Sequence, residues 1–183
     1  MTEIGYSFYY QPLYIIALTA FILYSIWLAL MIIIKGKPKR IIVWCCTIIS
    51  VLVILSFTLL YRSESYQDIE IIPFCSIISS GLNIHTFRPL YMNAFLFFPL
   101  GLCIPFVLAC KKATRAILLT MLIVFFFSFG IEFIQFIFHC GKCETDDVIM
   151  NTLGALLGSS SYCWFKLINN KVEKYYEKTN TMD

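Results

Sequence analysis

The chain has few charged side chains for its length. Only 14% of its 183 residues are Asp, Glu, Lys or Arg, whereas 60% are hydrophobic and 17% are aromatic. A chain this apolar does not have enough polar side chains to cover the surface of a soluble domain. The composition predicts an integral membrane protein.

Several functional patterns are missing as well. There are only two histidines, and no set of His, Cys, Asp and Glu has the spacing of a known metal site. The sequence contains no P-loop, no dinucleotide-binding glycine pattern and no internal repeat. We therefore expect no metal and no cofactor. We also expect no nucleic acid partner, because the basic residues are dispersed and no DNA-binding motif accompanies them.

Long apolar runs are what the sequence does contain. Five runs are long enough to cross about 30 Å of hydrocarbon at 1.5 Å per residue. We predict an all-α, five-helix transmembrane bundle with spans at 13–34, 41–60, 89–110, 116–138 and 148–165. In this scheme residues 1–70 hold two N-terminal helices, residues 71–168 form a three-helix domain, and residues 169–183 are a polar cytoplasmic tail.

The basic residues predict the orientation of these spans. Eleven of the fourteen fall after the first, third and fifth spans, whereas the alternate loops hold most of the acidic residues. Short loops rich in Lys and Arg stay in the cytoplasm. We therefore predict a multi-pass cell-membrane protein with its N-terminus outside and its C-terminus inside.

The last three spans carry polar residues that are costly in hydrocarbon. A carboxylate there costs roughly 3 kcal/mol or more, so such a group usually faces a protein interior and marks a site. Helical spacing places Glu132 and Gln135 on one face of the fourth span, and Asp147 and Asn151 on one face of the fifth. Asn93 lies near the start of the third span, at the same side of the membrane. We therefore expect all of these residues to meet near the outer surface.

Two interpretations of this cluster stay open. In the first, the side chains form interhelical hydrogen bonds that serve packing alone, with Glu132 protonated against Asn151 or Asn93. In the second, Glu132 and Asp147 are catalytic, and a ligand is bound by other polar residues of the cluster, namely Arg88, Asn93, Gln135, Asp146 and Asn151. We assign helix packing to Pro99, Gly101, Gly154 and Gly158, since small residues let two helices approach closely.

Three cysteines fall in loops that are predicted to lie outside. They are Cys75, Cys140 and Cys143, and a disulfide is permitted at that surface. The C-x-x-C of Cys140 and Cys143 is also compatible with redox chemistry or metal binding, but the motif is weak without a thioredoxin-like context, so an idle or structural disulfide is the default interpretation.

Four segments resemble the VanZ-like family. They are I-I-P-F at 71–74, N-A-F-L-F-F-P-L-G at 93–101, E-F-I-Q at 132–135, and D-D-V-I-M-N-T-L-G-A-L-L-G at 146–158. The resemblance covers about half of the chain. The chain departs from the family pattern at Gly141-Lys142, where Gly-Arg is typical, and lysine lacks the bidentate guanidinium fork.

The resemblance implies a small bacterial envelope protein. The founding member of the family is associated with resistance to the glycopeptide teicoplanin, so the resemblance also implies a role in such resistance. The expected partners are membrane lipids, together with a lipoglycopeptide or a lipid-linked cell-wall precursor. The alternative is a membrane-embedded enzyme that acts on a lipid or polyprenyl-phosphate headgroup, with Glu132 as its acid or base. A transporter subunit is disfavoured, because there are neither repeats nor paired broken helices.

Overall fold

The fold is almost entirely helical. The computed structural model describes residues 21–22, 24, 26, 40–60, 69–74, 78, 84–138 and 143–180, with the side chains of 60, 69, 84–89 and 172–180 excepted. Helix α1 is Arg40–Leu55 and continues as a π-helix, Ser56–Leu60. The other helices are α2, Ile84–Leu108; α3, Ala113–Phe138; and α4, Thr145–Asn180. Two short strands, β1 at Ile69–Glu70 and β2 at Cys143–Glu144, pair in parallel. The all-α prediction is confirmed for the described residues.

Three of the predicted spans coincide with helices that are long and apolar enough to cross a membrane. These are Arg40–Leu59, Leu90–Leu108 and Ala113–Phe138. The protein is therefore a membrane protein, as its composition predicted. Helix α4 covers the fifth predicted span, but it is less apolar and is not one of the three. Most of the first predicted span lies outside the described residues. The five-span count and the division at residue 70 stay predictions.

Helices that follow one another in the sequence run in opposite directions. The start of α3 contacts the later part of α4, where the Cys163 thiol lies 3.9 Å from the Ala113 carbonyl oxygen. Further along α3, Ser128 contacts Asn151 near the start of α4. The two helices are therefore antiparallel. We call the end of the bundle where α4 begins the polar end, and the end where α3 begins the basic end.

The core lies between all four described helices. Its buried side chains come from every helix: Ile54 of α1, Phe97, Leu100 and Ile104 of α2, Val124 and Ile131 of α3, and Ala155 of α4. A second cluster joins α1 and α2 nearer the basic end through Val43, Cys46, Leu102 and Cys103. Tyr24 packs on this second cluster, and its hydroxyl donates to the Cys46 carbonyl oxygen at 2.9 Å.

Glycine allows α2 and α4 to touch along their backbones. A Cβ at Gly101 would lie 2.5 Å from the Ala155 carbonyl oxygen, and one at Gly154 would lie 2.9 Å from the Ala94 Cα. A Cβ at Gly158 would lie 2.8 Å from the Leu102 nitrogen. Since Gly154 and Gly158 meet successive turns of α2, these two helices run parallel. Pro99, two residues before Gly101 on α2, is fully buried.

Candidate functional site

The polar end holds a segment, residues 69–74, that is fixed to the first turn of α4. Strand β1 pairs Ile69 with Cys143 and Glu70 with Glu144, immediately before α4 begins. The Thr145 hydroxyl lies 3.2 Å from the Glu70 carbonyl oxygen and 3.1 Å from that of Ile71. The 69–74 segment is therefore bonded to α4 by both backbone and side chain.

Asp146 fixes the far end of the 69–74 segment. Its carboxylate is 6% exposed and accepts a hydrogen bond from the Phe74 backbone N–H at 2.6 Å. Phe74 has a φ of 58°, a left-handed conformation that is uncommon for a residue other than glycine. Such a conformation persists only where the surroundings impose it. The buried Asp146 carboxylate is one such constraint, because the bond requires the Phe74 N–H to point at α4.

Glu132 joins α3 to the strand that precedes α4. Its carboxylate is 3% exposed, and Oε2 accepts a hydrogen bond from the Glu144 backbone N–H at 3.0 Å. The chain before α4 therefore reaches down to the level of Glu132. A carboxylate beside the N-terminus of α4 is stabilised by the helix dipole, as are Asp146 and Asp147 in the first turn.

Asp147 and Asn93 join α4 to α2. The Asn93 side-chain amide donates to Oδ1 of Asp147, whose side chain is 4% exposed. An amide donor partly replaces the hydration that a buried carboxylate loses. The structure thus brings together two residues that the sequence placed on different spans.

Asn151 and Ser128 join α4 to α3 one turn deeper. The Asn151 amide donates to the Ser128 hydroxyl at 2.8 Å, and both side chains are buried. The side-chain oxygen of Asn151, Oδ1, has no hydrogen-bond partner among the described atoms. This bond joins the two helices within the bundle, one turn of α4 after Asp147.

Gln135 faces a different helix from the rest of the predicted cluster. Its side-chain amide donates to the Thr58 carbonyl oxygen at 2.7 Å, within the π-helical end of α1. Carbonyl groups at the end of a helix lack partners within that helix, so this donor satisfies one of them. Gln135 therefore links α3 to α1, whereas Glu132 on the same helix links α3 to the start of α4.

Cys143 lies beside these carboxylates. Burial raises the pKa of its thiol above the usual value, and the negative charges of Glu132, Asp147 and Glu144 raise it further. A high thiol pKa leaves little thiolate at neutral pH, so Cys143 is a poor nucleophile. The thiol is free in the structure. Cys75 and Cys140 lie outside the described residues, as does the side chain of Arg88, so their predicted roles stay predictions.

The site as described is a set of oxygen acceptors that hold loops and helices in place. Glu132 and Asp146 accept backbone N–H groups, and Asp147 accepts a side-chain amide. Hydrogen bonds to charged groups contribute roughly 1.5–3 kcal/mol each. These contacts are of the kind that the packing interpretation predicts, and the catalytic and ligand-binding roles of the cluster stay predictions. No group of three or more His, Cys, Asp and Glu able to hold a metal occurs among the described residues.

Comparison with known proteins decides the family. The VanZ/LLP1 family model matches residues 13–166, which is most of the chain. The chain belongs to the VanZ/LLP1 family. Neither a curated protein nor a solved structure matches it significantly. The match extends well beyond the four segments on which the resemblance rested, and it includes the first two predicted spans.

The segments that resemble VanZ proteins meet at the polar end and along the contact between α2 and α4. Glu132 of the third segment accepts a hydrogen bond from Glu144, two residues before the last segment. Asp146 of the last segment holds Phe74 of the first, and Asp147 of the last holds Asn93 of the second. Gly154 and Gly158 then run along the second segment. In this VanZ-like chain the segments are therefore parts of one packed unit.

Sequence reasoning missed three contributors to this VanZ-like site. Ser128 lies one turn before Glu132 on α3 and is buried, but it was not among the predicted site residues. Phe74 and Thr145 act through a backbone N–H and a hydroxyl that bridge segments about 70 residues apart. The I-I-P-F segment contained a signal for Phe74, because proline favours a turn. Its left-handed φ was not predictable, since glycine is the usual residue there.

Proposed function

We propose that this chain is a multi-pass protein of the bacterial cell membrane that contributes to resistance against teicoplanin-like glycopeptides. Membership of the VanZ/LLP1 family supports the proposal. In the proposed topology five helices cross the membrane, the N-terminus lies outside, and the polar end faces the exterior. The alternating directions of α1 to α4 and the concentration of lysines at the basic end support this orientation.

The observation that carries the proposal is an exposed apolar turn that is hydrogen-bonded to the buried Asp146. Ile71, Ile72 and Phe74 are 73%, 63% and 39% exposed, although each is hydrophobic. Ile78, four residues after Phe74, is also exposed, and its N–H donates to the Phe74 carbonyl oxygen at 2.9 Å. Exposed apolar clusters mark membrane or ligand contacts. Ordering this turn in advance lowers the entropy lost on binding.

In this proposal the turn contacts the acyl chain of a lipoglycopeptide at the outer surface. Apolar side chains that lie against the interface gain free energy by covering a hydrocarbon chain. A drug held in this way has less access to its cell-wall target. Vancomycin lacks that acyl chain, so the protein is expected to protect against teicoplanin more than against vancomycin.

Expression in a susceptible Gram-positive host tests the proposal. We expect the inhibitory concentration of teicoplanin to rise more than that of vancomycin. The double variant Ile71→Ser with Ile72→Ser is expected to lose most of that rise. The matched control is Ile41→Ser with Ile168→Ser, which changes two exposed isoleucines at the basic end and is expected to keep it. If teicoplanin susceptibility stays unchanged while surface expression is confirmed, the resistance proposal fails.

Labelling of single cysteines tests the orientation separately. In a background without the eight native cysteines, Ile71→Cys and Lys112→Cys place exposed thiols at the polar and basic ends. An impermeant maleimide is expected to label position 71 in intact cells, and position 112 only after permeabilisation. The reverse pattern would place the polar end in the cytosol and remove the proposed contact with the drug.

The variant Glu132→Gln separates this proposal from the enzyme interpretation. Gln keeps an oxygen that can accept the Glu144 N–H, but it cannot transfer a proton at neutral pH. If Glu132 is structural, Glu132→Gln retains resistance and Glu132→Ala loses it together with thermal stability. A Glu132→Gln protein that accumulates normally yet loses function would favour acid–base chemistry instead.

A further inference from the structure

A second site lies at the basic end, far along α4 from the polar cluster. A cavity of about 80 Å³ opens between the first turn of α3 and the later turns of α4. A single water needs roughly 15 Å³ on a comparable measure, so the cavity has room for a larger group. Its floor is formed by small or buried side chains, namely Ala113, Ala116 and Cys163.

The polar groups around this cavity are cationic or neutral. Lys111 lines it from the loop before α3, and Lys166 lines it from α4. Tyr162 and Asn170 add a hydroxyl and an amide. The first turn of α3 also borders the cavity through Ala113 and Ala116. The Ala116 N–H donates to the Lys112 carbonyl oxygen, and the positive end of the helix dipole favours an anion at this turn. Every group in this set is suited to an anion, and none of the cavity-lining residues is acidic.

Apolar and aromatic side chains are exposed beside the same cavity. Trp164 is 66% exposed and Leu167, which lines the cavity, is 53% exposed. Tryptophan and tyrosine concentrate where hydrocarbon meets the headgroup layer. Lysines with long apolar stems place their ammonium groups at that same level. In the predicted topology the cavity therefore lies where α4 leaves the hydrocarbon, and both cations and exposed apolar side chains are near it.

We propose that the Lys111–Lys166 cavity binds the phosphate headgroup of an anionic membrane phospholipid, whose acyl chains lie along Trp164 and Leu167. The two ammonium groups and the first turn of α3 hold the phosphate. The exposed apolar side chains account for the preference for a lipid over free phosphate, since a small anion makes no use of them. Basic cavities between transmembrane helices on the cytoplasmic side are suited to such headgroups.

The test measures thermal stabilisation of the purified full-length chain in a neutral detergent. Phosphatidylglycerol, phosphatidylcholine and inorganic phosphate are titrated separately. We expect phosphatidylglycerol to raise the melting temperature saturably, and the other two to raise it little. The Lys111→Gln, Lys166→Gln double variant is expected to weaken the apparent affinity by at least tenfold, since each charge-assisted contact contributes roughly tenfold.

The matched control removes the same charge from neighbouring positions. Lys112 and Lys171 are exposed and do not line the cavity, so Lys112→Gln with Lys171→Gln is expected to keep the affinity within about threefold. Equal losses in the two double variants would show general surface electrostatics and overturn the proposal. Equal stabilisation by inorganic phosphate would show a site for a free anion and would overturn the proposal of a lipid ligand. Absence of any saturable stabilisation of the wild type would show that there is no such site. None of these outcomes bears on teicoplanin resistance, which depends on the opposite end.

Discussion

Helices α2 and α3 are nearly equal in length but differ in what surrounds them. In their apolar windows, 50% of the residues of α2 are buried inside the protein, compared with 28% for α3. Yet α3 is the more apolar of the two. The helix with the stronger hydrophobic signal therefore buries the smaller share of its surface.

This difference follows from the solvent around the protein. Lipid tails are as apolar as leucine, so hydrophobicity alone does not draw one helix onto another in a membrane. Helix α2 is buried because Gly101, Gly154 and Gly158 let its backbone meet α4. Helix α3 instead turns a row of phenylalanines outward, at positions 125, 126, 129, 133 and 138. The side of α3 that faces the other helices is narrow, and it combines the polar residues with the core side chains of Val124 and Ile131.

The largest expected effect comes from filling the contact between α2 and α4. In Gly154→Ala the new Cβ would meet the Ala94 carbonyl group, which belongs to the backbone and cannot rotate away. Overpacking typically costs 1–3 kcal/mol, and a backbone collision falls at the upper end, about 3 kcal/mol. We expect a markedly lower thermal unfolding temperature in detergent, or loss of the monodisperse species on size exclusion.

Gly130→Ala is the matched control on α3. A Cβ at Gly130 has nothing within 4 Å, and alanine is favoured over glycine in a helix by roughly 1 kcal/mol. The control is therefore expected to be neutral or slightly stabilising. If both alanine variants behave alike, close backbone contact is not what distinguishes α2 from α3.

The same contrast explains what the sequence could predict. Apolar runs of spanning length require only composition, and the three spans that the structure describes fully lie within a few residues of their predicted bounds. The side of each helix that faces the protein interior could also be predicted, because Glu132 and Asn151 are too costly to expose to lipid. Both are buried in the structure.

The hydrogen-bond partners of the polar side chains could not be predicted from their spacing in the sequence. The sequence suggested Asn93 or Asn151 as a partner of Glu132, whereas the described contacts join Asn93 to Asp147 and Asn151 to Ser128. The described partner of Glu132 is a backbone N–H of Glu144. Helical periodicity fixes which residues share a face, but it does not fix how closely the backbone at Cys143 and Glu144 approaches α3. That distance decides which donors reach each carboxylate.

An intermediate effect is expected from the polar stripe of α3. Ser128→Ala removes the acceptor of the Asn151 amide while leaving the shape of the contact nearly unchanged. Hydrogen bonds between membrane helices average about 0.6 kcal/mol and reach roughly 1.7 kcal/mol. We expect a loss of about 1 kcal/mol in the unfolding free energy, measured by denaturant titration in micelles, because the Asn151 amide stays buried. The double variant Ser128→Ala with Asn151→Ala should cost little more than Ser128→Ala alone, and additive losses would show that the two side chains act independently.

The smallest effect is expected on the lipid-facing side of the same helix. Phe126 is 62% exposed and lies two residues from Ser128, on the opposite side of α3. Phe126→Leu exchanges one apolar side chain for another against lipid, so it should change the unfolding free energy by less than about 0.5 kcal/mol. The same titration in micelles measures both variants. A larger loss for Phe126→Leu than for Ser128→Ala would mean that the phenylalanine row of α3 packs against protein, as in a dimer or on the first predicted span, and α3 would then be as enclosed as α2.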